Sequence, residues 1–207
     1  RNSKLYRPLG LGFANLGALL MANGLPYDSD KARAMVFAIT ALMTGEAYRT
    51  SADMAAAIGP FEGFAANRIP MLRVMHKHRD AISGIDASLV AEDLLKAAEN
   101  AWDEAIIEGS VSGFRNAQVT VLATTGTIAF MMDCDTTGIE PEFSLVKYKK
   151  LVGGGTLKIV NNTIPRALEK LNYDQKHIAK ILEYLENKDT IEEIGRASCR
   201  ERVYGLV

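Results

Sequence analysis

The stretch VLATTGTIAFMMDCDTTGIEP, residues 121–141, joins the end of an apolar run to a loop of small hydroxyl residues and then to a short apolar run of helical character. AQVTVLA, residues 117–123, is the best strand in the chain: β-branched and nearly continuously apolar, as a strand buried between helices is. A strand that feeds straight into a helix start leaves backbone N–H groups unpaired and pointing into one small volume. Thr124, Thr125, Gly126 and Thr127 add three hydroxyls and a residue free to take any φ, so the loop is equipped to hold a phosphate without a lysine. The same threonines can also act as ordinary helix caps, and spacing alone does not separate the two readings.

Downstream, TIAFMMD reads as a short buried helix and TTGIEPEF as a turn. FSLVKYKKLVGGGTLKIV carries two period-2 runs around three glycines, which predicts a β-hairpin with a permissive turn. Lys147, Lys149, Lys150 and Lys158 line it as a solvated face. IPRALEKLNYDQKHIAKILEYLENKD predicts two more helices, with Pro165 at the start of the first and Asp174 capping the second.

Upstream of the strand the pattern is helical. In LGLGFANLGALLMANGLPYDSD the apolar Phe13, Leu16, Leu19 and Leu20 recur at helical spacing and Asn23-Gly24 closes the segment. Gly10, Gly12 and Gly17 do not have dinucleotide-loop spacing, so they read as sites of close helix packing. Asp28 or Ser29 caps a long helix that runs to about Ile58 and stops at Gly59-Pro60, with residues 34–47 apolar nearly all round and therefore central. A shorter helix follows Pro70. Its His76 and His78 point away from each other and cannot share a metal, so they read as surface histidines. From Asp86, an amphipathic helix puts Val90, Leu94, Ala98, Ala101, Trp102, Ala105 and Ile106 on one stripe. Trp102 is then a core residue, and the Glu104/Glu108 pair, with no histidine beside it, is a solvated face.

With 207 residues, 48% hydrophobic side chains and a formal net charge of −1, the chain can bury a sizeable core and has no general field for nucleic acid or anionic lipid. A phosphate-bearing partner must therefore be small and held locally. Two cysteines, Cys134 and Cys199, and the lack of a secretory leader pattern point to a reducing cytoplasm. The most apolar run, from Ala34, is well short of the ~20 residues a bilayer needs. Neither a metal site nor a membrane segment is expected.

RPLGLGFANLGALLMANGLPYDSDKARA, TGEAYRTSADMAAAIGPF, NAQVTVLATTGTIAFMMDCDTTGIEPEFSLVKYKKLVGGG and DTIE together resemble the C-terminal half of the catalytic barrel of a ribonucleotide reductase large chain. The wording is closest to the adenosylcobalamin-dependent, vitamin B12 type, and the resemblance covers nearly everything from Arg7 to Glu192. It implies an α/β fold: a helix-rich part of a ten-stranded α/β barrel, with the hairpin following the phosphate loop. It also implies that Thr124, Thr125, Gly126 and Thr127 hold the phosphates of a ribonucleoside di- or triphosphate. The rest of the enzyme would bring adenosylcobalamin, a thioredoxin-like reductant and the thiyl-radical cysteine on a finger loop upstream.

On that reading no catalytic residue lies in this chain, Cys134 is a buried packing residue, and the chain alone is inactive. Residues 1–193 form the partial barrel. Ile194–Val207 departs from the family wording, and IGRASCRERV looks like a translated sequencing-adapter oligonucleotide, which would leave Cys199 without biological meaning. The alternative is a non-enzymatic helical module that binds a small anion or a partner protein.

Overall fold

The computed structural model describes residues 1–188, so the expectations for residues 189–192 and for the 194–207 tail with Cys199 lie outside the described residues. In chain order the main elements are α1 (Asn2–Tyr6), α2 (Leu16–Ala22), α3 (Asp30–Ile58), α4 (Phe64–Ala81), α5 (Glu92–Ser112), the short α6 (Thr127–Met131), strands β1 (Val146–Lys150) and β2 (Thr156–Val160), α7 (Ile164–Lys170) and α8 (Gln175–Lys188). The chain divides into two compact units. The first is Arg1–Gly12 with Arg33–Leu122, and the second is Phe13–Ala32 with the described residues from Ala123 onward.

In the first unit, α3, α4 and α5 enclose a core of Tyr48, Phe61, Phe64, Met75, Trp102 and Phe114. The rings meet edge to face, with Tyr48 and Phe114 at 5.6 Å and Phe61 and Phe64 at 5.6 Å, the arrangement their quadrupoles favour. Trp102 is buried as its stripe predicts, and its indole N–H is satisfied by the Ala41 carbonyl at 2.9 Å. The α3 helix ends where expected, at Gly59 with φ +84°. Its apolar stretch is less central than the sequence suggests: most of residues 34–47 are half-buried and Phe37 is 61% exposed. A second correction concerns α4, which starts two turns before Pro70 and carries the proline inside it. The missing N–H leaves the Ala66 carbonyl without its helical donor, a cost offset by burying Phe64 and Met75 on the same helix.

The expected strand at 117–123 is an extended segment rather than a full strand. Leu11 pairs in parallel with Thr120, through the Leu11 N–H to the Val119 carbonyl at 2.9 Å and the Val121 N–H to the Leu11 carbonyl at 2.7 Å. Asn116 anchors the segment: its amide donates to the Arg7 carbonyl at 2.8 Å and its side-chain oxygen accepts from the Ser51 hydroxyl at 2.9 Å. Gly10 and Gly12 therefore serve close packing against this strand, where a helix-packing role was expected; a Cβ on Gly10 would meet the Val121 side chain at 2.9 Å.

In the second unit the helix expected over the first glycines is confined to α2, because Asn15 takes φ +66° just before it. Ser29 is the expected cap of α3, its hydroxyl accepting from the Ala32 N–H at 3.1 Å. The hairpin forms as predicted, antiparallel with Tyr148 opposite Lys158, and Gly153, Gly154 and Gly155 turn it at φ between +94° and +99°. Pro165 opens α7, and Asp174 caps α8 by accepting from the His177 N–H at 2.8 Å. Met21, Leu145, Val146, Ile164, Leu168, Ile181 and Leu185 close the core of this unit. The fold is helix-rich with one two-stranded antiparallel hairpin. Among the described residues no helix is long and apolar enough to cross a membrane.

Candidate functional site

Thr124, Thr125, Gly126 and Thr127 form one continuous turn in the second unit. Thr125 has φ +50°, and Gly126 sits at φ 55°, ψ −119°, a conformation that side chains other than glycine's resist. The N-cap position of α6 is Gly126, which has no side chain to cap the helix. Thr124 and Thr127 are exposed, whereas the Thr125 hydroxyl is buried with no hydrogen-bond partner among the described residues. Such an atom costs stability unless something else supplies its partner.

Fewer backbone donors are free than the sequence implies. The Gly126 N–H turns back onto the Thr124 carbonyl, and the Ile128 and Ala129 N–H groups reach Thr125 and Gly126 at 3.2 and 3.1 Å. The N–H groups of Thr125 and Thr127 remain without a protein acceptor among the described residues. After the loop, α6 corrects another expectation. It buries only Ala129, while Ile128, Phe130, Met131 and Met132 are exposed, Met131 at 84%. Cys134 is likewise half-buried rather than fully packed.

The chain past α6 is gripped by polar contacts that sequence reading missed. The Asp135 carboxylate accepts from the Asn162 N–H at 2.8 Å and from the Thr163 hydroxyl, at the start of α7. The Asp135 carbonyl accepts from the Lys147 ammonium, which also pairs with Glu142 at 2.9 Å. Glu142 is 1% exposed and accepts from the Asn161 amide at 2.7 Å. Thr136 is buried between the Ala18 N–H, which its hydroxyl accepts at 3.1 Å, and the Asn15 side chain, to which its own N–H donates at 3.1 Å. Tyr27 donates its hydroxyl to the Ile139 carbonyl at 2.7 Å; burial first, and Glu140 second, push its phenol above the usual range. Lys147 is thus no solvated lysine, a correction to the hairpin reading. Lys149 lies over the Phe130 ring at 4.3 Å. The available signal was the density of Asp, Thr, Glu and Asn around the hairpin, but only burial distinguishes such residues from a polar surface.

The first unit carries a cavity of about 830 Å³ lined by Tyr48, Met71, Met75, Ile82, Trp102 and the 117–122 segment. His78, expected at the surface, is exposed on one face and stacks on Trp102 with the other, at 5.3 Å and 25° between ring planes. Burial, and then Lys77, hold its imidazole below the ordinary histidine range. Glu104 and Glu108 pair with Arg49 and the Ser112 hydroxyl. Among the described residues no group of three or more His, Cys, Asp or Glu is placed to hold a metal.

The loop of hydroxyls and glycine thus follows an extended segment of which only Val119 is buried, and precedes a short helix and a hairpin. The family described as "Ribonucleotide reductase, barrel domain" matches residues 1–204, and the chain belongs to it. It is 57% identical over 192 residues to a vitamin B12-dependent ribonucleotide reductase of Rhodopirellula baltica, covering 93% of this chain and 18% of that protein. A protein of the same description from Agrobacterium fabrum is 52% identical over 194 residues, 86% of this chain and 15% of its own length. One from Streptomyces avermitilis is 49% identical over 197 residues, 94% of this chain and 20% of its own. The chain spans a fifth or less of the length of these relatives. Membership of the family sets aside the alternative of a non-enzymatic helical module.

Proposed function

We propose that this chain is the part of an adenosylcobalamin-dependent ribonucleotide reductase that anchors the substrate's phosphates and forms barrel wall. The observation that carries the reading is the 57% identity, along 93% of the chain, to a reductase named as vitamin B12-dependent. The complete enzyme reduces ribonucleoside di- or triphosphates to 2′-deoxyribonucleotides by thiyl-radical chemistry, in the cytoplasm, inside a ten-stranded α/β barrel. Residues 1–193 are assigned to that barrel and 194–207 to an appended tail on their wording, although the family match itself runs on to residue 204. A thioredoxin-like protein supplies electrons.

Thr124, Thr125, Gly126 and Thr127 hold the phosphates. Supporting this are the buried, unpartnered Thr125 hydroxyl, the free N–H groups of Thr125 and Thr127, and the exposed hydroxyls of Thr124 and Thr127. Fixing the phosphates fixes the ribose, and a radical reaction at one C–H bond depends on that registration. Adenosylcobalamin, held by other parts of the complete enzyme, would supply the radical chemistry. The described residues do not fit it: the cavity of about 830 Å³ is apolar and of a size for smaller ligands, so no residue here is assigned to that cofactor.

The test is Thr127→Val in the complete polypeptide, which keeps the side chain's shape and removes one hydroxyl. Loss of a hydrogen bond to a charged phosphate should cost about 1.5–3 kcal/mol, roughly ten- to a hundred-fold in nucleotide affinity. Nucleoside affinity should not change. Equal weakening of nucleotide and nucleoside would mean that the loop only shapes the barrel.

A further inference from the structure

Burial does not explain how the 124–127 loop is held in place. The helix that follows it contributes Ala129 alone to the interior, while its remaining apolar side chains face outward. The Cys134 N–H returns to the Ala129 carbonyl at 2.9 Å, so the loop, α6 and its closing turn form one hydrogen-bonded piece. That piece is tied down at its far end by Asp135, whose carboxylate takes the Asn162 N–H at 2.8 Å and the Thr163 hydroxyl. Asn162 and Thr163 lead directly into α7, whose Ile164, Ala167 and Leu168 sit in the core of this unit. The other end of the piece meets the same strip of chain: a Cβ on Gly138 would collide with the Ala123 carbonyl oxygen, immediately before the loop. Residues 135–138 therefore touch the loop's entry and its exit; Thr136 ties them to Asn15 and Ala18 at α2, and the Asp135 carboxylate, next to the loop's closing turn, fastens them to α7.

We infer that Asp135 is a positioning residue for the phosphate loop, acting through its two hydrogen bonds to the start of α7. The inference rests on the phosphate reading of Thr124 through Thr127 and extends it to a residue that touches no substrate. With the clamp intact, the Thr125 and Thr127 donors are held in one place before substrate arrives. With it loosened, they must be ordered at the moment of binding, and affinity for the phosphates falls.

The experiment uses the complete polypeptide that carries this chain, with cytidine, cytidine 5′-diphosphate and cytidine 5′-triphosphate as probes. Asp135→Asn keeps the side chain's shape but cannot accept both hydrogen bonds; Thr163→Val removes one of the donors, and Thr163→Ser restores it. The expected result for Asp135→Asn and Thr163→Val is about a tenfold loss of affinity for the phosphorylated probe that the enzyme binds, the scale of one charge-assisted hydrogen bond. KM should rise while kcat stays put, cytidine binding should be unchanged, and Thr163→Ser should recover the parent value. A fall in melting temperature with no selective loss of the phosphorylated probe, or an equal loss for cytidine, would overturn the inference. Thr127→Val run alongside separates the two ideas. If it weakens the phosphorylated probe and Asp135→Asn does not, the clamp is wrong and the phosphate loop stands; if neither does, both fall.

Discussion

Gly12 and Val121 approach so closely that a Cβ on the glycine would lie 2.5 Å from the Val121 carbonyl oxygen. The contact is between backbones joined by the parallel pairing of residues 9–11 with 118–121, so neither side can yield without breaking hydrogen bonds. Gly12→Ala should destabilise the protein by about 1–3 kcal/mol, the range of overpacking. Gly84→Ala, where the added methyl meets nothing within 4 Å and φ is ordinary, should be close to neutral. Urea denaturation midpoints of the two variants check the contrast.

Gly126 presents the opposite case, with open space around its Cα and a backbone at φ +55° that a side chain resists. Gly126→Ala should act through conformation alone, costing about 1–3 kcal/mol of strain or reshaping the loop. Gly126→Val should do the same, since a Cβ there meets nothing within 4 Å. Titration of nucleotide against nucleoside should show the loss for the nucleotide only.

Glu142 and Lys147 form an ion pair with side-chain exposures of 1% and 16%. Removing one partner strands a buried charge, so Glu142→Ala or Lys147→Met alone should cost about 3–5 kcal/mol. The double variant should be less destabilised than the sum of the singles, since it leaves no orphaned charge. Thermal melts of the four proteins in a cycle measure that coupling.

His78 stacks on Trp102 with its imidazole held below its ordinary value of 6.5 by burial and by Lys77. The unfolded chain therefore takes up the proton first. Stability is fully present above pH ~6.5 and is lost as pH falls below that value toward the folded pKa. His78→Phe should flatten this dependence while keeping the stacking. Trp102 is the only tryptophan, so its fluorescence followed from pH ~8 to ~5 reports the titration directly in the parent chain.

Much of the architecture was legible because its signals are local. Ser29, Asp174, Pro165 and the glycines at 153–155 act on backbone within a few residues, and the predicted long helix, hairpin and final helices follow from them. The stripe that buries Trp102 was equally readable, since a helix's own period sets which side chains share a face. Pro70 misled for the same reason in reverse: a breaker reads as a boundary, yet burial of Phe64 and Met75 carries α4 through it.

By itself the sequence determined the family, the threonine–glycine loop and the order of elements, all of which reside in residue identity and short-range spacing. Tertiary structure alone decided which polar side chains are buried and paired. Lys147 and Lys150 are both hairpin lysines to a sequence reader, but one is shut in with Glu142 and Asp135 while the other is exposed. It also decided that Gly12 faces a strand, that His78 lies on Trp102, and that Asp135 reaches α7. Each of these depends on segments brought together across the fold, where desolvation and steric contact act on neighbours in space and leave no mark on neighbours in sequence.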